Sequence, residues 1–254
     1  TLSPDSSKIV YGIASASAEK NGVWVIDMGR IFTPDFRQIS HSLGTSKFFW
    51  SPDSKQIIAS TSGKNTYALE VDRVNDQLTT IDFKTILADW EQQRDLRNTS
   101  QLAKLDPRLS IILSSSSAFL HFSPDESKIL YQATASAVIP KILMVYLPGP
   151  NPTVETRQIK PGNYYVYDSK EDRNYLIENC PNCSWFPSSR HLLSYDNKQI
   201  VVMEYDGTNK ATIYAGYFKP GIVFPWPNWS KIVILTSLNN IPGASENLYT
   251  INLR

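Results

Sequence analysis

A Pro-centred turn that returns five times constrains this chain more than any other feature. The copies are SPDSSKIVYGI from Ser3 to Ile13, FFWSPDSKQIIAST from Phe48 to Thr61, LHFSPDESKILYQAT from Leu120 to Thr134, SWFPSSRHLLSYD from Ser184 to Asp196 and FPWPNWSKIVILTS from Phe224 to Ser237. Each reads apolar or aromatic, then a Pro turn, then a basic residue, then an apolar run. Proline presets φ for a turn, and an adjacent Asp or Ser can bond back to the turn backbone. The β-branched run that follows, such as Lys8-Ile9-Val10-Tyr11, has the composition of a buried strand. Each motif therefore marks a tight hairpin.

A third strand follows in every copy: GVWVIDM from Gly22, NTYALEVD from Asn65, NYYVYDSK from Asn163, QIVVMEYD from Gln199 and NLYTINL from Asn247. A fourth is predicted near Arg37, Leu78, Asn174 and Ala211. Four short strands in a repeat of roughly 40 residues is the signature of a propeller blade. The expected fold is all-β: a single propeller domain over 1–254, of about five four-stranded blades, or six if upstream residues add one. The chain opens at Thr1 inside a repeat and its last repeat lacks an outer strand. It reads as part of something longer, with the ring closed by a strand upstream or left imperfectly closed.

The turn prolines Pro4, Pro52, Pro124, Pro187 and Pro227 are 48, 72, 63 and 40 residues apart, so two intervals carry insertions. The first insertion spans about 82–118 and is helical by pattern. Phe83, Ile86, Leu87 and Trp90 fall at i, i+3, i+4 and i+7, with Asp82 as N-cap. A second short helix is predicted over Thr99–Leu105, stopped by Pro107. This insertion covers the flank of blade two, docks a partner, or is a flexible arm. The second insertion spans about 136–162 and is rich in proline, which predicts an extended loop or ribbon. Its apolar run Ile142–Leu147 is either an exposed contact surface or a lid. Trp90, Ile142, Met144 and Tyr146 are the candidate partner contacts.

SPDSSKI, WSPDSKQI and FSPDESKI resemble the WD40-like (PD40) repeat of TolB-type propellers, usually WSPDGKxI. The resemblance covers all five copies, although Ser188 and Asn228 replace the Asp in the last two, which implies looser turns there. The stretch KPGNYYVYDSKEDRNYLI, with QIVVMEYDGTNKATIY, is similar to the propeller regions of bacterial envelope proteins that carry a PEGA domain. That resemblance implies an extracytoplasmic propeller, membrane-anchored in the whole protein, and brings no catalytic residue with it.

Nothing in the residues argues for chemistry. The net charge of +1 excludes an electrostatic footprint for nucleic acid, and no window of 18 apolar residues offers a membrane span. GxSxG, HExxH, GxxxxGK[ST] and GxGxxG do not occur. His41, His121 and His191 fall in different repeats, and His121 stands where other copies carry a core aromatic. Asp168, Glu171 and Asp172 read as a solvated turn. Cys180 and Cys183 are loop thiols, free or joined. Asn98, Asn182 and Asn228 head N-x-[ST] sequons that matter only in a eukaryotic secretory setting. No cofactor and no metal is expected. The reading is a non-enzymatic propeller that binds a protein or cell-wall component. The alternative is a glycan-active or small-ligand-binding propeller that uses its channel.

Overall fold

The structure, a computed structural model, describes residues 1–17, 19–29, 34–62, 65–144, 149–180, 182–237 and 246–253. The chain is mostly β and divides into two units, Thr1–Arg97 and Asn98–Arg254.

The first unit holds two sheets. Strands β1 (Lys8–Ile13), β2 (Gly22–Asp27) and β3 (Asp35–Ser40) form one antiparallel meander, and β4 (Lys47–Trp50), β5 (Gln56–Ser60) and β6 (Thr66–Glu70) form the next. Their inner faces share a core. Val10, Val23, Val25 and Ile39 of the first sheet pack with Ile57, Ala59 and Leu69 of the second. The strand expected near Leu78 reduces to a single bridge, Tyr67 to Thr80.

The second unit holds three sheets in chain order. Strands β7 (Ser117–Phe122), β8 (Lys128–Ala133), β11 (Tyr164–Asp168) and β12 (Arg173–Ile177) make the first of them. Strands β13 (Ser184–Trp185), β14 (His191–Tyr195), β15 (Gln199–Glu204) and β16 (Ala211–Ala215) make the second. The third comprises β17 (Val223–Pro225), β18 (Lys231–Thr236) and β19 (Asn247–Asn252). Alternation along β8 gives the four-stranded sheet two buried faces. Leu130 points with Val166 and Tyr175 toward Leu192 and Met203 of the next sheet. Ile129 and Tyr131 point the other way, into a cluster with Leu109 and Leu113.

That cluster is where both insertions land. Helix α1 (Phe83–Leu102) is longer than the periodicity predicts, and α2 (Pro107–Ser116) begins at the proline expected to stop a helix. The reason is local. Proline's missing N–H costs nothing at the first position of a helix, and Asp106 caps it by accepting from Arg108 N at 2.9 Å. Phe83 meets Phe49 of the second sheet at 5.2 Å between ring centres. Leu102, Leu109 and Leu113 instead cover the third sheet. The second insertion forms a two-stranded ribbon, β9 (Ala137–Val138) paired with β10 (Gln158–Ile159).

The five turns are one structure repeated. The residue before the proline accepts from the N–H three positions on: Ser6 to Ser3 at 2.9 Å, Ser54 to Ser51 at 3.0 Å, Glu126 to Ser123 at 2.8 Å, Ser189 to Phe186 at 3.0 Å and Trp229 to Trp226 at 2.8 Å. Each donor residue sits in the left-handed region, at φ between 51° and 61°, a conformation that costs a side-chain-bearing residue about 1–2 kcal/mol. In the first three copies the serine hydroxyl donates to the turn Asp at 2.6 to 2.7 Å. The last two copies keep the backbone bond. Ser188 and Asn228 take over the acceptor role toward Arg190 N and Ser230 N, at 3.3 and 3.2 Å. Against the 3.0 to 3.1 Å at which Ser7 N, Lys55 N and Ser127 N donate to the turn Asp, this bond lengthens slightly while the backbone turn is preserved.

Neighbouring sheets are clasped the same way in both units. In the first, Trp50 Nε1 donates to Thr1 O at 3.2 Å and Asp5 N donates to Ser54 Oγ at 3.2 Å. In the second, Trp185 Nε1 donates to His121 O at 2.8 Å and Asp125 N donates to Ser189 Oγ at 3.0 Å. These are equivalent positions of the repeat.

Candidate functional site

The first residue after each turn faces the last residue of the third strand across the sheet. The pairs are Lys8 with Asp27, Gln56 with Glu70, Lys128 with Asp168, His191 with Glu204 and Lys231 with Asn252. Two of these polar rungs, Lys128–Asp168 and His191–Glu204, line a cavity of about 420 Å³ between the third and fourth sheets, completed by Lys170, Glu171, Arg190 and Tyr205.

Lys128 and Asp168 are both buried, at 8% and 3% exposure. The ammonium lies 3.7 Å from Asp168 Oδ2 and 4.7 Å from the centre of the Tyr205 ring. Its one hydrogen bond goes to Ser127 Oγ, at 3.1 Å. Asp168 Oδ1 accepts from Lys170 N at 2.8 Å and Glu171 N at 3.1 Å, which closes the turn after β11. Nearby, burial works against the Asp125 charge. Hydrogen bonds from Ser123 and Ser127 and the charge of Lys128 outweigh it and hold that carboxyl well below its ordinary value. Burial raises the Tyr205 hydroxyl, so it stays neutral.

The expectation of a solvated acidic turn is overturned. Asp168 and Asp172 are each 3% exposed. Asp172 accepts from Ile142 N at 2.6 Å, Leu143 N at 2.8 Å and Tyr167 OH at 2.8 Å, and it pairs with Arg157 Nη1 at 3.3 Å. Arg157 also donates to Pro140 O at 2.8 Å and to Asp172 O. Asp206, also buried, holds Asn151 Nδ2 at 2.8 Å and Thr153 Oγ1 at 2.6 Å. The second insertion is thus pinned to the third sheet through Asp172 and to the turn after β15 through Asp206. Sequence reading missed this because the partners are backbone amides and an arginine supplied by the insertion itself.

Of the candidate partner contacts, Trp90 is buried at 7% exposure, so its indole is not on display. Ile142 is half-buried against the cluster beneath the ribbon. Met144 is 89% exposed, with Val154 at 84% and Val138 at 63% on the same insertion. Tyr146 lies outside the described residues. His121, expected in the core, is exposed, because its strand turns that side chain away from the packed face. Cys180 and Cys183 are joined in a disulfide across Cα atoms 5.2 Å apart. Among the described residues, no group of three His, Cys, Asp or Glu side chains converges as a metal site, and no helix is long and apolar enough to cross a membrane.

No protein-family profile matches the sequence, and no curated protein does. Among solved structures, the chain is similar to a putative TolB from Agrobacterium tumefaciens at 12% identity and TM-score 0.34, covering 100% of this chain and 76% of that one. TolB from Acinetobacter baumannii aligns at 12% identity and TM-score 0.33, over 98% of this chain and 51% of that one. An acylaminoacyl peptidase from Pyrococcus horikoshii aligns at 7% identity and TM-score 0.29, over 96% of this chain and 36% of that one. The chain spans 48% of a eukaryotic initiation factor that it also matches, at 10% identity and TM-score 0.32.

Proposed function

We propose that the five sheets are the blades of a single β-propeller domain, and that the domain is a non-enzymatic binding module that engages a protein or cell-wall partner through its second insertion. The propeller reading is supported by the turn repeated in five copies, by the shared cores between successive sheets and by the identical Trp clasps in the two units. One observation carries the binding role. Val138, Met144 and Val154 hold large apolar side chains in solvent on a ribbon held by two buried carboxylates, Asp172 through backbone amides and Asp206 through the side chains of Asn151 and Thr153. Exposed apolar groups on an anchored segment favour association, because little conformational entropy remains to be lost on docking. An extracytoplasmic setting, as in PEGA-associated envelope propellers, fits the Cys180–Cys183 disulfide, since such bonds persist in oxidising compartments.

The test immobilises the chain and a Val138→Ser, Met144→Ser, Val154→Ser variant against detergent-solubilised envelope. A partner retained by the native chain and lost by the variant supports the reading. Equal retention by both removes the ribbon from it.

A further inference from the structure

The cavity between the third and fourth sheets is better equipped than a packing gap requires. Lys128 is a buried ammonium with three N–H donors, one of which has a hydrogen bond, to Ser127 Oγ. Asp168 stands 3.7 Å away, close enough to pair by charge and too far to accept a hydrogen bond. The Arg190 guanidinium, on the same rim, has no hydrogen bond or ion pair among the described residues. The acids are half committed. Glu171 Oε2 accepts from Asn151 N at 3.1 Å and Glu204 Oε1 accepts from Asn209 Nδ2 at 2.6 Å, which leaves one oxygen of each without a partner. Donor and acceptor capacity of both signs therefore faces one space of about 420 Å³, within the range of small-molecule sites.

The equivalent crevice in the first unit lacks these features. It is smaller, about 230 Å³, and is lined in part by Val25 and Val71. Its arginine, Arg37, is spent on Asp72 O at 2.9 Å and Asp35 at 3.7 Å. The same position in the repeat thus carries a committed arginine in one unit and one without a side-chain partner among the described residues in the other, so the open donors are not a consequence of the fold alone.

We propose that this cavity binds a small zwitterion of the α-amino acid type. The ligand carboxylate takes the open donors of Lys128 and Arg190, with guanidinium and carboxylate matching in plane. The ligand ammonium takes the open oxygens of Glu171 and Glu204. An anion alone leaves the carboxylates of Glu171 and Glu204 without a ligand cation, and a cation alone leaves Lys128 and Arg190 without a ligand anion, so neither is accommodated as well as a molecule that carries both charges.

Chemical-shift mapping of the whole chain with glycine, L-glutamate and L-lysine, and with acetate and methylammonium as single-charge probes, tests this. At least one amino acid should shift the backbone amides of Lys128, Lys170, Glu171 and Arg190. It should bind at least about tenfold tighter than acetate or methylammonium, a difference that each added matched charge can supply. Arg190→Gln, at an exposed position that leaves folding intact, should weaken it by about tenfold, and Lys8→Met in the first unit should leave it unchanged. Acetate binding as tightly as the amino acids would make this a plain anion site and overturn the proposal. So would an absence of shifts with every amino acid at high concentration, or full binding by Arg190→Gln.

Discussion

The two insertions leave successive repeats and end in different states. The first carries its apolar residues at helical spacing, and the fold buries one set of them: Trp90, Leu102, Leu109 and Leu113 are all at or below 8% exposure, while Leu96 and Ile111 stay exposed. The second is broken by prolines and cannot gather its apolar residues on one face. It buries Ile139 and Ile159 in the core, is held further by the polar groups Asp172 and Asp206, and leaves Val138, Met144 and Val154 in solvent. A helix satisfies its own backbone and can be fixed by its side chains alone. The ribbon needs partners for backbone amides such as Ile142 N and Leu143 N as well, and Asp172 supplies them.

The largest effect should come from breaking the ribbon's anchor. Asp172→Ala leaves Arg157 with Glu155 alone as its counter-charge and removes the acceptor of Ile142 N, Leu143 N and Tyr167 OH, at a cost of about 3 kcal/mol. A urea melt reads this. A loss within 1 kcal/mol would show that the ribbon is held by its apolar contacts, as the helices are. Trp90→Ala comes next. It empties a buried site on α1 and should cost about 3 kcal/mol, with partner binding unaffected once the protein is folded. A variant that melts normally but fails to bind would return Trp90 to the contact surface.

Acid should loosen the ribbon selectively. Burial acts to raise the Asp206 carboxyl, but hydrogen bonds from Thr153, Thr208 and Asn151 outweigh it and depress the folded value. A depressed folded value means that the stabilisation is complete above the unfolded value, near 3.8, and is lost as pH falls from there through the folded value. Hydrogen exchange at Asn151–Thr153 should therefore quicken below that pH, while α2 keeps its protection until the whole unit opens. Equal acceleration in both insertions would erase the contrast between them. Smallest of all, replacing Val138, Met144 and Val154 with serine should move stability by no more than about 0.5 kcal/mol, the range of exposed substitutions.

The repeat was legible in the sequence because each turn carries its own instructions. Pro4, Pro52, Pro124, Pro187 and Pro227 all head the same local bonds, and the strands after them are β-branched. The PD40 resemblance rests on those residues. What could not be read depends on partners far along the chain. Asp168 and Asp172 sit in a run of alternating charge that looks solvated, yet Arg157, Ile142 N and Leu143 N reach Asp172 from the insertion, and Lys128 faces Asp168 across the sheet. Pro107 reads as a stop or a start with equal ease until Asp106 is seen to cap it. The strand near Leu78 failed because only Thr80 meets the sheet edge. The cavity was invisible for a related reason: Lys128, Glu171, Arg190 and Glu204 belong to two repeats, and each is unremarkable alone.

On the proposed function, the ribbon meets a partner and the helical insertion is structural. Hydrogen exchange of the native chain, free and bound to the partner it retains from solubilised envelope, separates the two insertions. New protection is expected at Val138 and at Asn151–Ile159, with unchanged exchange along α1. Protection confined to α1, or to neither insertion, would contradict it.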